Sequence, residues 1–318
     1  MIVRWSLGEL PAVLDEVGIT SPFLVTSARW EGLVDLAAAG RWTDVPSDRI
    51  EVPPGADGIL AIGGGSPIDT AKAASSASGL PLVSVPTTYS GAEWTPTFGV
   101  RTRERRIVGH GGGAQLVAIV YDVELTLDLP RPETVGTALN GLDHCAEALY
   151  STNRNEAGDR AAIEGATLIA RWLPRVVDEP HDREARAVLL HGAAAAGEAL
   201  ALAGLALGHA IAQALGGTFG LPHGAMNALA LPLALRFNAP LAPEAVRRFG
   251  EAIGAPDDPA AKVEELARLG GFERLRDFGI PEGELAAVAE AASGRLGNRQ
   301  NPRPATPAEI ENLLHSIY

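Results

Sequence analysis

Between Ala199 and Leu235 the chain carries no Asp, Glu, Lys or Arg, and Ala and Leu dominate it. A stretch this apolar must leave water, either inside a protein core or inside a bilayer, where about 20 continuous apolar residues span the hydrocarbon. His209, Gln213, Gly216-Gly217, Pro222, His223 and Asn227 interrupt the run and divide it into two shorter pieces. That is the pattern of a helical hairpin buried in protein, so no membrane association is expected. At 318 residues the chain is longer than one core usually organises, which places the hairpin in one of two domains.

Upstream, short apolar runs alternate with Ala-rich stretches: Phe23–Thr26, Ile59–Ile62, Leu82–Val85 and Val117–Val120. Their length and spacing predict strands separated by helices, hence right-handed crossovers and a mostly parallel sheet covered on both faces. Beyond Leu129 the strand signal stops, and helices broken at Pro180, Gly216-Gly217, Pro222, Pro240 and Pro281 are expected. The chain therefore reads as an α/β nucleotide-binding domain over residues 1–129 followed by an all-helical domain over residues 130–318. A formal net charge of -13 opposes association with nucleic acid or an anionic membrane. The single Cys145 cannot form an intrachain disulfide, and the opening residues lack the charged-then-apolar order of a signal peptide, so a cytoplasmic protein is expected.

The predicted strand Ile59–Ile62 runs straight into Gly63-Gly64-Gly65-Ser66-Pro67, after which a helix pattern begins. Three residues without side chains let a backbone approach a phosphate, and a helix N-terminus offers unpaired N–H groups and a positive dipole end. Ser66 suits the N-cap, Pro67 the first helical position, and Asp69 the residue that reaches back to the cap. The glycines do not follow the alternating dinucleotide fingerprint, so a nucleotide fold other than the standard Rossmann type is implied.

In the apolar second half, polar side chains recur in pairs four residues apart: Asn140 and His144, His209 and Gln213, His223 and Asn227. Each pair shares a helix face. Burying an unpaired amide or imidazole costs on the order of 1–3 kcal/mol, so three such pairs point to a shared polar or metal-lined cleft. His144, His209, His223 and Asn140 would make a four-ligand set for Fe²⁺ or Zn²⁺. The neutral amide of Asn140 weakens such a site, and low occupancy is expected. Asp143 lies where it could support the set from outside or substitute in it. Cys145 reads as a buried structural thiol.

These residues resemble the iron-containing alcohol dehydrogenase superfamily, and several are similar to its maleylacetate reductase branch. Gly63 to Lys72 resembles the family's phosphate-binding turn. Pro86 to Pro96, with Thr87, Thr88 and Tyr89, resembles its second cofactor loop. Tyr121-Asp122, His144 to Tyr150, Leu215 to His223 and Asn301 to Pro304 resemble that branch as well. The resemblance covers almost the whole chain. It implies a dehydroquinate synthase-like architecture, NAD or NADP held by Gly63, Gly64, Gly65, Ser66, Asp69, Thr87, Thr88 and Tyr89, and hydride transfer in an interdomain cleft. It further implies a homodimer, and a small oxo acid, aldehyde or alcohol as partner.

Asn140, His144, His209 and His223 fall on the superfamily's metal-ligand positions, with Asn140 replacing the Asp of metal-dependent members. Gln213 stands where many members carry a further histidine, and Leu233 also replaces an expected histidine. Gly224 to Asn227 is closer to the alcohol dehydrogenase branch, and the segment between Arg41 and Asp57 is too short for a helix usual there.

These features lead to one expectation, the NAD(P)H-dependent reduction of a small oxo acid such as maleylacetate, without catalytic metal. Asn140, His144, His209, His223 and Gln213 would line the site, and Arg303 would clamp a carboxylate through its two-point fork or serve in a surface salt bridge. An Fe²⁺- or Zn²⁺-dependent alcohol dehydrogenase and a degenerate cofactor-binding protein are the alternatives.

Overall fold

The computed structural model describes Met1–Tyr318, and its chain divides into two compact units. The first comprises residues 1–88 and 92–126. The second takes residues 89–91 and 127–318.

The first unit is built on six parallel strands, β1 (Ile2–Arg4), β2 (Pro22–Thr26), β3 (Gly40–Trp42), β4 (Gly58–Gly63), β5 (Pro81–Pro86) and β8 (Gln115–Val120), in the order β1-β8-β5-β4-β2-β3. A separate antiparallel hairpin, β6 (Phe98–Arg101) and β7 (Ile107–Gly111), completes its strands. The pleat sorts the apolar residues by parity. Leu24, Leu60, Ile62, Val83 and Val85 face α1 (Leu10–Glu16), which buries Leu10, Val13 and Leu14 against them. Phe23, Val25, Ile59, Ala61 and Leu82 face α2 (Gly65–Ser78) through Ile68, Ala71 and Ala74. The continuous apolar runs of β2 and β4 are thus accounted for by burial on both faces.

All four strands expected from the sequence are present. β1, β3 and the hairpin carried too few apolar residues to stand out. The stretch from Thr43 to Asp57 contains no helix. The start of α2 differs from expectation: its N-cap is Gly64, not Ser66, and Pro67 is the third helical residue. Without side chains, the glycines let the helix begin two residues earlier, and Pro67 still lies in the first turn where its missing N–H is harmless. Asp69 therefore does not reach back to the cap. Its carboxylate accepts from Gly99 N at 3.4 Å and approaches Lys72 Nζ at 3.4 Å.

The second unit contains ten helices: α3 (Arg131–Tyr150), α4 (Glu156–Asp178), α5 (Arg183–Ala203), α6 (Leu207–Phe219), α7 (His223–Asn238), α8 (Pro243–Ala252), α9 (Pro259–Arg268), α10 (Leu285–Ser293), α11 (Leu296–Gln300) and α12 (Pro307–His315). α3 is its axle, buried from Thr134 to Tyr150 except at Thr137 and packed against α4, α5 and α7. The charge-free run forms the end of α5, then α6 and α7 as the expected hairpin. Gly216-Gly217 does not break it: α6 continues to Phe219, and the turn falls at Gly220, in the left-handed region, and Pro222. Only α5 is long and apolar enough to span a membrane, and 67% of its apolar window is buried in the unit.

α4 is tied to α8 by Asp159, which is 7% exposed and accepts from Arg154 Nη2 at 2.8 Å and Arg248 Nη1 at 2.6 Å. Burial alone would raise its pKa, but the two guanidiniums outweigh burial and hold the carboxyl below its ordinary value. A folded pKa below the unfolded one gives stability that is present above the unfolded value and lost as pH falls through the folded one. Asp159→Asn should therefore cost about 1–2 kcal/mol at neutral pH, and the gap to wild type should narrow in acid. Urea unfolding at pH values from neutral to below about 4 reads both; a pH-independent gap would contradict the ion-pair account.

Candidate active site

The glycine turn belongs to the first unit. Gly63 has φ +147°, and a Cβ there would stand 2.6 Å from Pro67 Cγ. A Cβ on Gly64 would stand 2.9 Å from Thr88 Cγ2, so the turn lies flat against the strand-end residues. Thr87 N donates to Gly63 O at 3.1 Å, and the protein supplies no partner to the buried Thr88 Oγ1. Bare backbone, a helix N-terminus and an unanswered hydroxyl are what an anionic phosphate can use, so the residues fit a nucleotide. Beside the turn lies a buried group that sequence reasoning missed. Lys72 donates to Thr97 O at 2.9 Å, and Glu93 accepts from Tyr121 Oη at 2.7 Å. Burial raises the Glu93 pKa against the pull of Tyr121 and Lys72.

Tyr89 departs from its expected role. Its side chain is fully buried in the second unit, with its hydroxyl bonded to Arg186, so it has no surface to offer a cofactor.

In the second unit, α3 presents Asn140, Asp143, His144 and Glu147, spaced three or four residues apart on one face. Glycines let the other helices reach that face. A Cβ on Gly224 would lie 2.5 Å from the Gly136 carbonyl carbon, and one on Gly208 would lie 2.6 Å from Asp143 Oδ1. α3 and α7 thus touch backbone to backbone one turn before Asn140 and Asn227, and α6 begins against Asp143.

Asn140 is the hub. Its Nδ2 donates to Ser90 O at 2.7 Å, which turns its Oδ1 toward Asn227 Nδ2, a close donor, and His209 Nε2 at 3.2 Å. On the far side of the His209 ring, Nδ1 stands 2.8 Å from Glu147 Oε2 and 3.2 Å from Asp143 Oδ2, while His209 N donates to Glu147 Oε1 at 3.0 Å. Amide and carboxylate oxygens only accept, so in the absence of a metal these contacts favour a proton on both ring nitrogens of His209. Burial opposes that charge, and Glu147 and Asp143 outweigh it, so the His209 pKa is raised. The Asp143 pKa is raised as well, by burial and the neighbouring Glu147.

His144 stacks on His209 with ring centroids 4.6 Å apart and planes 14° from parallel. Burial, then the charges of His209 and His223, hold it neutral. His223 is half-buried, its ring 5.8 Å from that of His209 and tilted by 55°. The structure therefore brings Asn140, His144, His209, His223 and Asn227 together. Ser90 Oγ, His144 Nδ1 and Asn227 Oδ1 are buried and have no partner within the protein, so polar bonding capacity remains for a guest.

Gln213 and Arg303 stand differently. Gln213 Oε1 accepts from Arg295 Nη1 at 3.4 Å and its carbonyl from Arg295 Nη2 at 3.1 Å. Sequence reasoning had not singled out Arg295, whose neighbours in the chain carry no periodic signal. Arg303 forks onto Glu309 at 3.1 and 2.8 Å, exposed and over the Phe237 ring. It is the surface salt bridge, and its two-point fork is already used. Cys145 is buried, its thiol pKa raised by burial.

A divalent metal at Asn140, His144, His209 and His223 needs a lone pair on every ring, so His209 would have to release its Nε2 proton to join it. Asn140 adds no charge, and the carboxylates stand behind His209. This four-residue set carries no negative charge of its own and would hold Fe²⁺ or Zn²⁺ less firmly than a set with a carboxylate. Asp143, Glu147 and His209 form a second group, with one ligand atom from each residue lying within 4.8 Å of the others. It has the composition of a metal centre; without one, His209 pairs with both carboxylates, and both Asp143 oxygens stay buried without a hydrogen-bond partner.

Two family models match the chain: "Iron-containing alcohol dehydrogenase" over residues 53–118 and "Fe-containing alcohol dehydrogenase family, C-terminal" over residues 134–318. Maleylacetate reductase of Sphingobium indicum is 39% identical over 81% of this chain and 73% of its own length. That of Pseudomonas knackmussii is 33% identical over 98% and 93%. Among solved structures, iron-containing alcohol dehydrogenase from Corynebacterium glutamicum matches with a TM-score of 0.87 at 30% identity, covering 100% of this chain and 94% of that one. Maleylacetate reductase from Agrobacterium tumefaciens matches with a TM-score of 0.86 at 27% identity, covering 100% and 95%.

The glycine contact between α3 and α7 gives a direct test. Gly224→Ala should force the helices apart, costing about 1–3 kcal/mol as overpacking does, and should loosen the Asn140–Asn227 bond. Gly283→Ala, with open space around it, should be neutral. Thermal unfolding of both compares them; an alanine at 224 as stable as wild type would refute the close-packing argument.

Proposed function

This chain belongs to the iron-containing alcohol dehydrogenase family, and on that premise we propose that it is an NAD(P)H-dependent reductase of maleylacetate that works without a catalytic metal. It is an NAD(P)-dependent oxidoreductase acting on a small molecule. The observation that carries the finer reading is the buried His209 ring, set between Glu147 and Asp143 at Nδ1 and the neutral amide oxygen of Asn140 at Nε2, an arrangement that favours an imidazolium when no metal is bound.

In this reading the backbone of Gly63 to Ser66, with Thr88, would hold the phosphates of NAD(P)H, whose chemistry when bound would be hydride donation to a carbonyl carbon. As the carbon–oxygen π pair moves onto oxygen, the fixed charge of His209 stabilises the developing alkoxide. Neutral His144 and the amide of Asn227 orient that oxygen. His223, the half-exposed ring of the three, delivers the proton that completes the alcohol and is reloaded from water. A cytoplasmic homodimer is part of the same reading, and sedimentation tests the dimer. A metal-dependent alcohol dehydrogenase is the second reading, favoured by the Asp143, Glu147 and His209 group.

Purified protein should oxidise reduced nicotinamide cofactor when maleylacetate is added, and chelator should leave the rate unchanged. Metal analysis should find well under one equivalent. Stoichiometric metal with chelator-sensitive activity would favour the second reading, and cofactor binding without turnover on any oxo acid or aldehyde would reject catalysis. His223→Ala should lower kcat by about 10²–10⁴-fold, the usual contribution of a general acid. An unchanged kcat would remove His223 from the proton path.

A further inference from the structure

Arg186 on α5 is 1% exposed, and its three acceptors are neutral: Pro180 O at 2.7 Å, Tyr89 Oη at 3.2 Å and Thr134 Oγ1 at 3.3 Å. A guanidinium stays charged in proteins, and burying it without a carboxylate is unfavourable compared with an apolar side chain of similar volume. The position needs another reason for a fork of donors. Two of its three bonds converge on one place, the Tyr89 hydroxyl and the Thr134 hydroxyl on α3.

Tyr89 begins the three-residue segment that the second unit takes from an otherwise separate stretch of chain. Each residue of that segment meets a helix. Tyr89 N bonds the Thr137 hydroxyl at 3.3 Å, and Ser90 O accepts from Asn140 Nδ2 at 2.7 Å. Gly91, with φ +71°, lies so close that a Cβ would stand 3.4 Å from His144 Nδ1 and 3.3 Å from Gly197 Cα.

The two ends of an amide side chain are nearly the same size, and only their partners decide which end faces which way. Ser90 O can only accept, so it selects the NH₂ end of Asn140 and leaves Oδ1 for Asn227 Nδ2 and His209 Nε2. If the segment drifts, the amide is free to turn and set its NH₂ end against the Asn227 Nδ2 donor.

We propose that Arg186, through Tyr89, is a positioning residue for the reaction, clamping residues 89–91 so that the Ser90 carbonyl fixes the orientation of Asn140 in the substrate site. This rests on the function proposed above. In this proposal Arg186 and Tyr89 act through Ser90.

The test is a double-mutant cycle on the full-length protein with maleylacetate and reduced nicotinamide cofactor. Tyr89→Phe removes only the hydroxyl, and it should lower kcat by about 10-fold, the size of one lost hydrogen bond. Arg186→Met should do the same. In an Asn140→Ala background, where no amide remains to orient, Tyr89→Phe should change kcat by less than about 2-fold. A second readout does not depend on turnover. The side-chain amide NMR signal that vanishes in Asn140→Ala should shift or broaden in Tyr89→Phe.

Multiplicative losses in the cycle, with an unmoved amide signal, would overturn the proposal and leave Arg186 a packing residue. If wild type reduces no maleylacetate, the proposed function fails by itself. The amide signal then still decides whether the clamp orients Asn140.

Discussion

The second unit depends on one buried electrostatic arrangement: a single imidazole with two carboxylates at one nitrogen and an amide oxygen at the other. Charges of this kind are tolerated away from water only when partners meet every donor and most acceptors. Glu147 answers both the ring and the backbone N–H of His209, so it fixes the start of α6 as well as the side chain. That demand reaches into the packing. α6 must begin next to Asp143 and α7 must lie against α3, and only glycine at 208, 136 and 224 allows those approaches. The small residues and the charges of this bundle are therefore one feature: the glycines bring the helices close, and the triad gives closeness a unique register.

The first unit meets its ligand by the opposite means. Its turn offers backbone, a helix end and one buried hydroxyl, with the glycines excluded from bearing Cβ atoms by Pro67 and Thr88. A phosphate placed there would be recognised by shape and dipole, without a charged side chain at that point. One candidate site is built by removing side chains and the other by aligning them.

This contrast explains what the sequence revealed. The strands β2, β4, β5 and β8 were legible because burial on both faces produces unbroken apolar runs, and the glycine turn was legible because it is local. The pairs Asn140 with His144, His209 with Gln213 and His223 with Asn227 were legible through helical spacing, since polar residues stand out in an Ala/Leu background. Glu147 was not, because an acid seven residues along a helix reads as solvated until the helices that bury it are known. Arg303 and Arg295 look alike in sequence, and only tertiary packing gives Glu309 to one and Gln213 to the other. Tyr89 sits in a loop whose neighbours Thr87 and Thr88 belong to the first unit, yet its ring is buried in the second. The cap of α2 moved from Ser66 to Gly64 because a triple glycine leaves several starts nearly equal in energy.

The amide at position 140 gains its meaning from the carboxylates behind His209. A carboxylate there would place negative charge at both nitrogens of one ring, and with Asp143 and Glu147 already present the centre would need a further cation to balance it. An amide supplies the same acceptor geometry toward Nε2 without the charge, and its other end takes a bond that a carboxylate oxygen cannot make, to the Ser90 carbonyl. Negative charge thus lies on the side of His209 away from Asn140, the imidazolium itself becomes the positive group, and the side facing Asn140 and Asn227 stays neutral. In the proposed function that distribution would let a small anionic substrate meet a positive charge without first displacing a carboxylate, and it ties the identity of residue 140 to residues 143 and 147 one and two turns further along the same helix.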